Sequence, residues 1–499
     1  MITTTDPSTG TTRETTLEAT PDAEVAAIAE RAAIAAPALR SSTRDWRAGL
    51  LDALAAALDA HSPQLVETAM SETGLARPRL ETELTRSAVQ FRLFAEAVRE
   101  GSYLEAAIDH AAPTPMGPGP DMRRMLLALG PVAVFGSSNF PFAFSVPGGD
   151  TSSALAAGCP VVVKAHSSHP LTSQAAFAVL LGAADAYGAP AGTLGIVYGT
   201  AAGRALVAQP AISAVGFTGS LAAAESLMAI IGERAEPIPF YGELSSVNPL
   251  VVTPGAAAAR GAQIGEGLFA SFSGSAGQLC TKPGVAFVPR NATGLVDTLV
   301  AKVRASGPQP LLNERILSSF GVIRDRLVAE GRAEVLATGS GQTAGFGVVP
   351  HVLRIDARDL SEAATEEAFG PLVLIAVYDD LAEVLEGLQT VPPSLTATLH
   401  SEAGESAERA LLVDAMQPRA GRLVFDGYPT GLRVSWAQHH GGPWPATNAL
   451  HTSVGVTALR RFLRPFAWQD APEDVLPREL RDDDTSVPRR VDGVLRLAG

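Results

Sequence analysis

Cysteine is nearly absent: Cys159 and Cys280 are the only two among 499 residues, which excludes a disulfide framework as the source of stability. Positive charge is also the scarcer sign, with 38 Lys and Arg against 52 Asp and Glu and a net charge of −14. That balance argues against nucleic acid or an anionic membrane as the main partner, while a local basic pocket for phosphate stays open. No run reaches about 18 uninterrupted apolar residues, so no membrane span is expected. Met1 to Gly10 are polar and threonine-rich, without the charged and apolar regions of a secretory signal. A reducing cytoplasm is the expected compartment. Internal repeats and low-complexity linkers are absent as well.

What is present describes an enzyme. The length predicts two or three domains, and 46% apolar with 18% charged residues is the composition of a soluble globular chain. From Pro21 to Glu100, Ala and Leu recur at helical spacing. Between Gly101 and Gly130, four prolines interrupt two short β-prone pieces, which predicts a hairpin standing off the domain. Residues 131–245 then alternate strand and helix five times, with apolar runs at Pro131–Gly136, Pro160–Lys164, Gly195–Tyr198, Ala214–Phe217 and Pro237–Tyr241. This alternation predicts an α/β fold with a Rossmann-like parallel sheet, whose ligands collect at the carboxyl ends of the strands. No Gly-x-Gly-x-x-Gly follows any of these strands, so an ordinary dinucleotide fingerprint is missing. A second α/β segment spans 246–424, and the charged tail from Arg481 ends in a β-prone stretch expected to pair with another edge, that of a neighbouring subunit's hairpin included.

Cys280 lies in Gly277-Gln278-Leu279-Cys280-Thr281, after the small, flexible run Ser271 to Gly277. Such an approach leaves a thiol accessible, whereas Cys159, set before a run of valines, reads as packing. Asn139, Lys164 and Glu243 stand at or just beyond strand ends of the predicted parallel sheet, on one rim. Taken singly, Asn139 reads equally as a helix cap, Glu243 as an exposed loop charge and Lys164 as a solvated strand end. The pairs His166/His169 and His439/His440 lack a third well-spaced ligand, so no metal site is expected.

Together these motifs resemble the aldehyde dehydrogenase superfamily over roughly residues 15–480. Asn139-Phe140-Pro141 resembles the family's Asn-x-Pro, whose amide meets the oxyanion. Lys164 resembles the lysine at the adenosine ribose. Phe217-Thr218-Gly219-Ser220 is similar to the family's Phe-Thr-Gly-Ser, with Gly219 and Ser220 opening a helix suited to a pyrophosphate. Glu243-Leu244 resembles the general-base motif, Gly277 to Cys280 the nucleophile motif, and Glu367-Ala368-Phe369-Gly370-Pro371 the motif whose glutamate holds the nicotinamide ribose. The wording of 157–166, 425–431 and 440–447 is most similar to the α-ketoglutaric semialdehyde (2,5-dioxopentanoate) dehydrogenase branch, with some shared by NADP-dependent fatty aldehyde dehydrogenases.

The resemblance implies NAD(P)-dependent oxidation of an aldehyde through a cysteine thiohemiacetal and thioester, with 2,5-dioxopentanoate as the favoured substrate and a medium or long aliphatic aldehyde as the alternative. Release of acyl-CoA would make Glu243 wasteful, and a non-catalytic binding protein should have lost Cys280 or Glu243. It further implies a homodimer or homotetramer, with cofactor binding in 1–104 and 128–245 plus a return at 425–480, catalysis in 246–424, and β oligomerisation elements at 105–127 and 481–499. Where most members carry Glu-Leu-Gly-Gly-Lys, this chain has Ser245, Ser246 and Val247 after Glu243-Leu244. Three residues after Lys164, the glutamate of NAD-preferring members is replaced by Ser167, which implies acceptance of NADP, with Arg204 near its 2′-phosphate. For the substrate tail, Arg92 or Arg433 would suit a carboxylate, and Phe140, Phe142, Phe272 and Trp436 an apolar chain.

Overall fold

Helices Asp22–Ser41, Arg44–Ala60, Ser62–Thr73 and Arg77–Glu100 fill the first hundred residues because small and branched apolar residues recur every three or four positions. In the first helix Val25, Ala29, Ala32, Ala36 and Leu39 form the buried stripe; the second starts where the Thr43 side chain accepts from the Trp46 N–H. The computed structural model describes residues 1–329 and 331–499.

Beyond the helices the chain builds a five-stranded sheet, in spatial order Phe240–Glu243, Ala214–Thr218, Val132–Phe135, Val161–Lys164 and Leu194–Val197. Every pairing in it is parallel. Helices on both faces bury the central strands almost completely, which is why their sequences are continuous apolar runs rather than alternating ones. The first strand in sequence lies in the middle, so successive connections leave it in opposite directions. The crevice beyond the carboxyl ends of Val132–Phe135 and Ala214–Thr218 is therefore the switch point where such folds place ligands.

A second, seven-stranded sheet is assembled from Leu250–Val252, Val285–Pro289, Glu334–Thr338, His351–Asp356, Leu372–Tyr378, Ser394–His400 and Ala420–Phe425. Only Glu334–Thr338 runs antiparallel, at one edge. Its two faces carry separate apolar cores, one around Phe287, Phe320 and Leu374, the other around Phe272, Leu295 and Ile375.

The third sheet differs from the expected arrangement. Ala106–Asp109 pairs antiparallel with Met122–Ala128, and a small hairpin, Ala112–Thr114 with Gly117–Gly119, forms the tip. The tail strand Arg489–Val491 pairs in parallel with Ala106–Asp109 of the same chain, so its partner edge is internal. Leu463–Gln469 also joins this sheet, against Met122–Ala128, after Val456–Phe462 has packed into the core that holds Val132 and Val161 of the first sheet. No helix among the described residues is long and apolar enough to cross a membrane.

Candidate active site

The loop after Val132–Phe135 is fixed from beneath by the fourth helix. Glu83, 4% exposed, accepts from the Phe142 N–H at 2.7 Å and the Ala143 N–H at 2.9 Å. The same carboxylate holds Arg79 at 2.6 Å, and Arg79 donates onward to the Asn139 carbonyl at 2.7 Å and the Ser275 hydroxyl at 2.9 Å. One part-buried ion pair thus ties the Asn139 loop to the approach of Cys280. Removing Glu83 from it leaves the largely buried Arg79 charge without its carboxylate. Glu83→Gln is expected to cost about 3 kcal/mol of stability; a thermal midpoint indistinguishable from the parent protein would show that the pair contributes nothing.

Around Cys280 the backbone makes an unusual turn: Ser275, Ala276 and Gly277 have φ of 52°, 55° and 67°. Only glycine serves at the last of these, because a Cβ on Gly277 would stand 2.2 Å from the Gly370 carbonyl oxygen. The nucleophile run is therefore laid directly on Gly370-Pro371. Asn248, also at positive φ, steadies it from below: its Nδ2 donates to the Cys280 carbonyl at 2.9 Å and the Lys282 carbonyl at 3.0 Å. Asn139, buried beside it, donates from Nδ2 to the Gln278 carbonyl at 2.8 Å. The Cys280 N–H has no protein acceptor among the described residues.

Glu243 ends the edge strand of the first sheet and is 3% exposed. Its Oε1 accepts from His440 Nε2 at 2.8 Å and its Oε2 from the Ser453 hydroxyl at 2.7 Å. The same His440 nitrogen lies 3.6 Å from Cys280 Sγ, and the reactive atoms of Glu243, Cys280 and His440 fall within 4.8 Å of one another. His440 is positioned by Thr452, whose hydroxyl accepts from its backbone N–H at 2.7 Å. Burial pushes the Glu243 carboxyl up, but His440 and then Ser453 outweigh it, leaving it below the usual carboxylate range. For Cys280, burial and then the adjacent Glu243 carboxylate push the thiol well above its ordinary value, against a smaller pull from Arg86. The site at rest therefore holds a neutral thiol beside an ionised carboxylate.

The remaining expected residues are spread along the two sheets. Lys164 ends its strand, half-buried, with its stem across Gly203, and burial draws its amine down to about 8. Ser167 is exposed in the following turn. Arg204, on the helix Thr200–Ala208, donates to the Ser226 hydroxyl at 2.5 Å and so links to the next helix, Leu221–Gly232. Gly219 follows the strand Ala214–Thr218, and Ser220 caps that second helix. Glu367 sits across the site, where burial pushes its carboxyl up to about 7 against the pull of Lys282, and where it accepts from the Ser246 N–H at 3.1 Å. Phe369 lies half-buried two residues on. The substituted Ser246 is a working part: its hydroxyl donates to Asn248 at 2.7 Å and accepts from the Leu395 N–H at 2.9 Å.

Several expectations for the substrate wall need correction. Arg92 is turned to the surface against Asp59 at 2.5 Å, and Arg433 is exposed. Phe142 and Phe272 are fully buried in two different cores, and Trp436 is 48% exposed. Phe140 does face the site, with Phe144 at 5.3 Å between ring centroids, and the guanidinium of Arg86 lies over both rings. Cys159 is buried packing, its thiol raised to about 11 by desolvation. His166 and His169 stack at 5.3 Å, while His169 bonds to Ser137 and Ser173. Sequence reasoning missed Arg86, Asn248 and Ser453, and named His440 only as half of a histidine pair.

Known proteins resemble this chain in sequence and in fold. The model of the family described as "Aldehyde dehydrogenase family" matches residues 1–442. The chain is 40% identical over 467 residues to an alpha-ketoglutaric semialdehyde dehydrogenase of Acinetobacter baylyi, covering 91% of this chain and 88% of the relative. It is 42% identical over 481 residues to alpha-ketoglutaric semialdehyde dehydrogenase 2 of Azospirillum brasilense, covering 94% and 91%. Among solved structures, a mutant of the 1-pyrroline-5-carboxylate dehydrogenase of Thermus thermophilus superposes with a TM-score of 0.78 at 22% identity, covering 94% of this chain and 89% of that one.

Proposed function

The chain belongs to the aldehyde dehydrogenase family and is an NAD(P)-dependent oxidoreductase, from which we propose that it oxidises 2,5-dioxopentanoate to 2-oxoglutarate. The observation that carries this reading is the convergence of Cys280, Glu243 and His440 at the rim of the parallel sheet. Two relatives named for this aldehyde support the substrate.

The residues fit a dinucleotide held without the usual glycine fingerprint. The N-terminus of Leu221–Gly232, opened by Gly219 and Ser220, suits the pyrophosphate, Lys164 the adenosine ribose, and Glu367 with Phe369 the nicotinamide end. When bound, the nicotinamide supplies the hydride acceptor. Cys280 Sγ attacks the aldehyde carbon while Asn139 Nδ2 and the Cys280 N–H meet the developing oxyanion, each such donor being worth about 3 kcal/mol in the barrier. Because burial holds the thiol protonated, its proton has to leave toward the Glu243 and His440 pair as the carbon–sulfur bond forms. Loss of hydride leaves an acyl group on Cys280. Glu243 then takes a proton from the water that cleaves this thioester, and His440 with Ser453 orients the carboxylate for it. A long apolar aldehyde is less well served, since Phe142 and Phe272 are committed to cores. Acyl transfer to CoA is disfavoured by a placed water-activating base.

NADP is the preferred form in this reading. Ser167 and Arg204 leave the ribose end without an acidic side chain at the position that repels a 2′-phosphate. Exposed Phe466, Val494 and Leu495 on the third sheet, with Leu497 just beyond it, support assembly as a homodimer or homotetramer. A free nucleophilic thiol suits a reducing cytoplasm.

The test is an aldehyde panel of 2,5-dioxopentanoate, succinic semialdehyde and hexanal, read by reduced-nicotinamide absorbance with each cofactor. The highest kcat/KM is expected for 2,5-dioxopentanoate with NADP, and equal or better use of hexanal would refute the substrate. In Ser167→Glu the ratio of kcat/KM for NADP to that for NAD is expected to fall about 100-fold through like-charge repulsion; an unmoved ratio would detach Ser167 from the phosphate.

A further inference from the structure

Helix Arg77–Glu100 brings a second arginine to the site, two turns beyond Arg79. Arg86 is held between rings: its guanidinium carbon lies 5.7 Å from the Phe140 centroid and 5.1 Å from that of Phe144. Phe144 in turn lies 6.2 Å from the His440 ring, which touches Cys280. The fork thus stands one aromatic ring away from the reacting sulfur, and its charge acts on Glu83, Cys280 and Glu243.

What sets Arg86 apart is its lack of partners. Its Nε and Nη2 are fully buried and bond to nothing among the described residues. Arginine in such a place ordinarily finds a carboxylate or carbonyl, because leaving buried N–H groups unpaired forfeits their hydration without return. The nearest carboxylate on its own helix, Glu83, is already spent on Arg79 and the two backbone N–H groups. Other cations around the site are committed at their terminal nitrogens: Arg79 to Glu83, Asn139 and Ser275, and Arg422, whose Nε alone is unpaired, to the carbonyls of Pro429 and Gly431. Arg92 is spent on Asp59 at the surface, and Arg433 is exposed.

We infer that Arg86 is the specificity-determining residue that receives the carboxylate at the far end of the aldehyde substrate. The planar fork offers two parallel N–H donors to one carboxylate, and the rings of Phe140 and Phe144 exclude water from the pair. Aldehydes ending in a methyl group leave the fork unpaired, so the site rejects them by the same desolvation that stores its preference. The inference rests on the aldehyde-oxidising reading of Cys280 and deepens it by assigning the anionic end of the substrate.

The test compares Arg86→Met and Arg86→Lys with the parent enzyme on 2,5-dioxopentanoate and hexanal, with kcat and KM resolved. In Arg86→Met the ratio of kcat/KM for the acid to that for hexanal is expected to fall about 100-fold, mainly through a raised KM for the acid. Arg86→Lys, which keeps the charge but not the fork, should lose about 10-fold. Equal losses on both aldehydes would overturn the inference and leave Arg86 as a structural or thiolate-tuning charge, as would an unchanged ratio. Parent enzyme that oxidises neither aldehyde would instead sink the functional reading itself. As a second measurement, 2-oxoglutarate should protect Cys280 of the parent chain from iodoacetamide and fail to protect it in Arg86→Lys; undiminished protection would also overturn the assignment.

Discussion

Cys280→Ala is expected to lower production of reduced nicotinamide by more than about 10⁴-fold while leaving cofactor affinity within about twofold. The alanine removes the only atom able to carry the acyl group, and the surrounding loop is held by contacts that do not involve sulfur: Asn248 to the Cys280 carbonyl, Asn139 to Gln278, and Gly277 on Gly370. Cofactor titration by nicotinamide fluorescence provides the control, and turnover that survives the substitution would refute covalent catalysis. The pH dependence of the parent thiol carries its own sign. Since burial and Glu243 push the thiol above its ordinary value, the thiolate fraction at neutral pH is small and iodoacetamide labelling should accelerate as pH rises. A rate already flat around neutral pH would mean that an ionised thiol is present without cofactor.

Glu243→Gln is expected to split the reaction into its halves. Attack and hydride loss leave an acylated Cys280, and cleavage of that thioester needs a base. Steady-state turnover should fall about 10³-fold, preceded by a rapid burst of one reduced nicotinamide per subunit. Steady-state loss without a burst would mean that the thiol proton has no acceptor besides Glu243 and that both halves of the reaction depend on it. The carboxylate is held below its usual range, so it stays ionised through neutral pH and serves as a base there. The same shift fixes a stability contribution: it is present above the ordinary carboxylate pKa and is lost as pH falls through the lower value of the folded chain.

The sheet was readable because strands buried on both faces must be continuous apolar runs, and five of them alternated with helical spacing. Pairing was harder. The tail strand's charges, Arg489 and Arg490, pointed to a partner edge without saying which, and the edge belongs to the chain's own Ala106–Asp109. At the site, Asn139, Glu243 and Cys280 stood at strand ends or beside glycine-rich turns, where local sequence constrains the backbone. His440 and Arg86 carried no such mark. His440 reaches Glu243 from 197 positions away, and its neighbour His439 is exposed, so the doublet looked like an uncompleted metal pair. Arg86 sits on an ordinary amphipathic helix, where an arginine reads as a solvated face until tertiary packing lays two phenylalanine rings under it.

Seating Gly277 against Gly370 has a mechanical consequence. Two backbones in contact without side chains between them resist compression: the segment bearing Glu367 cannot press inward without displacing the segment bearing Cys280. A methyl group added at Gly277 would act as a wedge driven into a joint that has no slack.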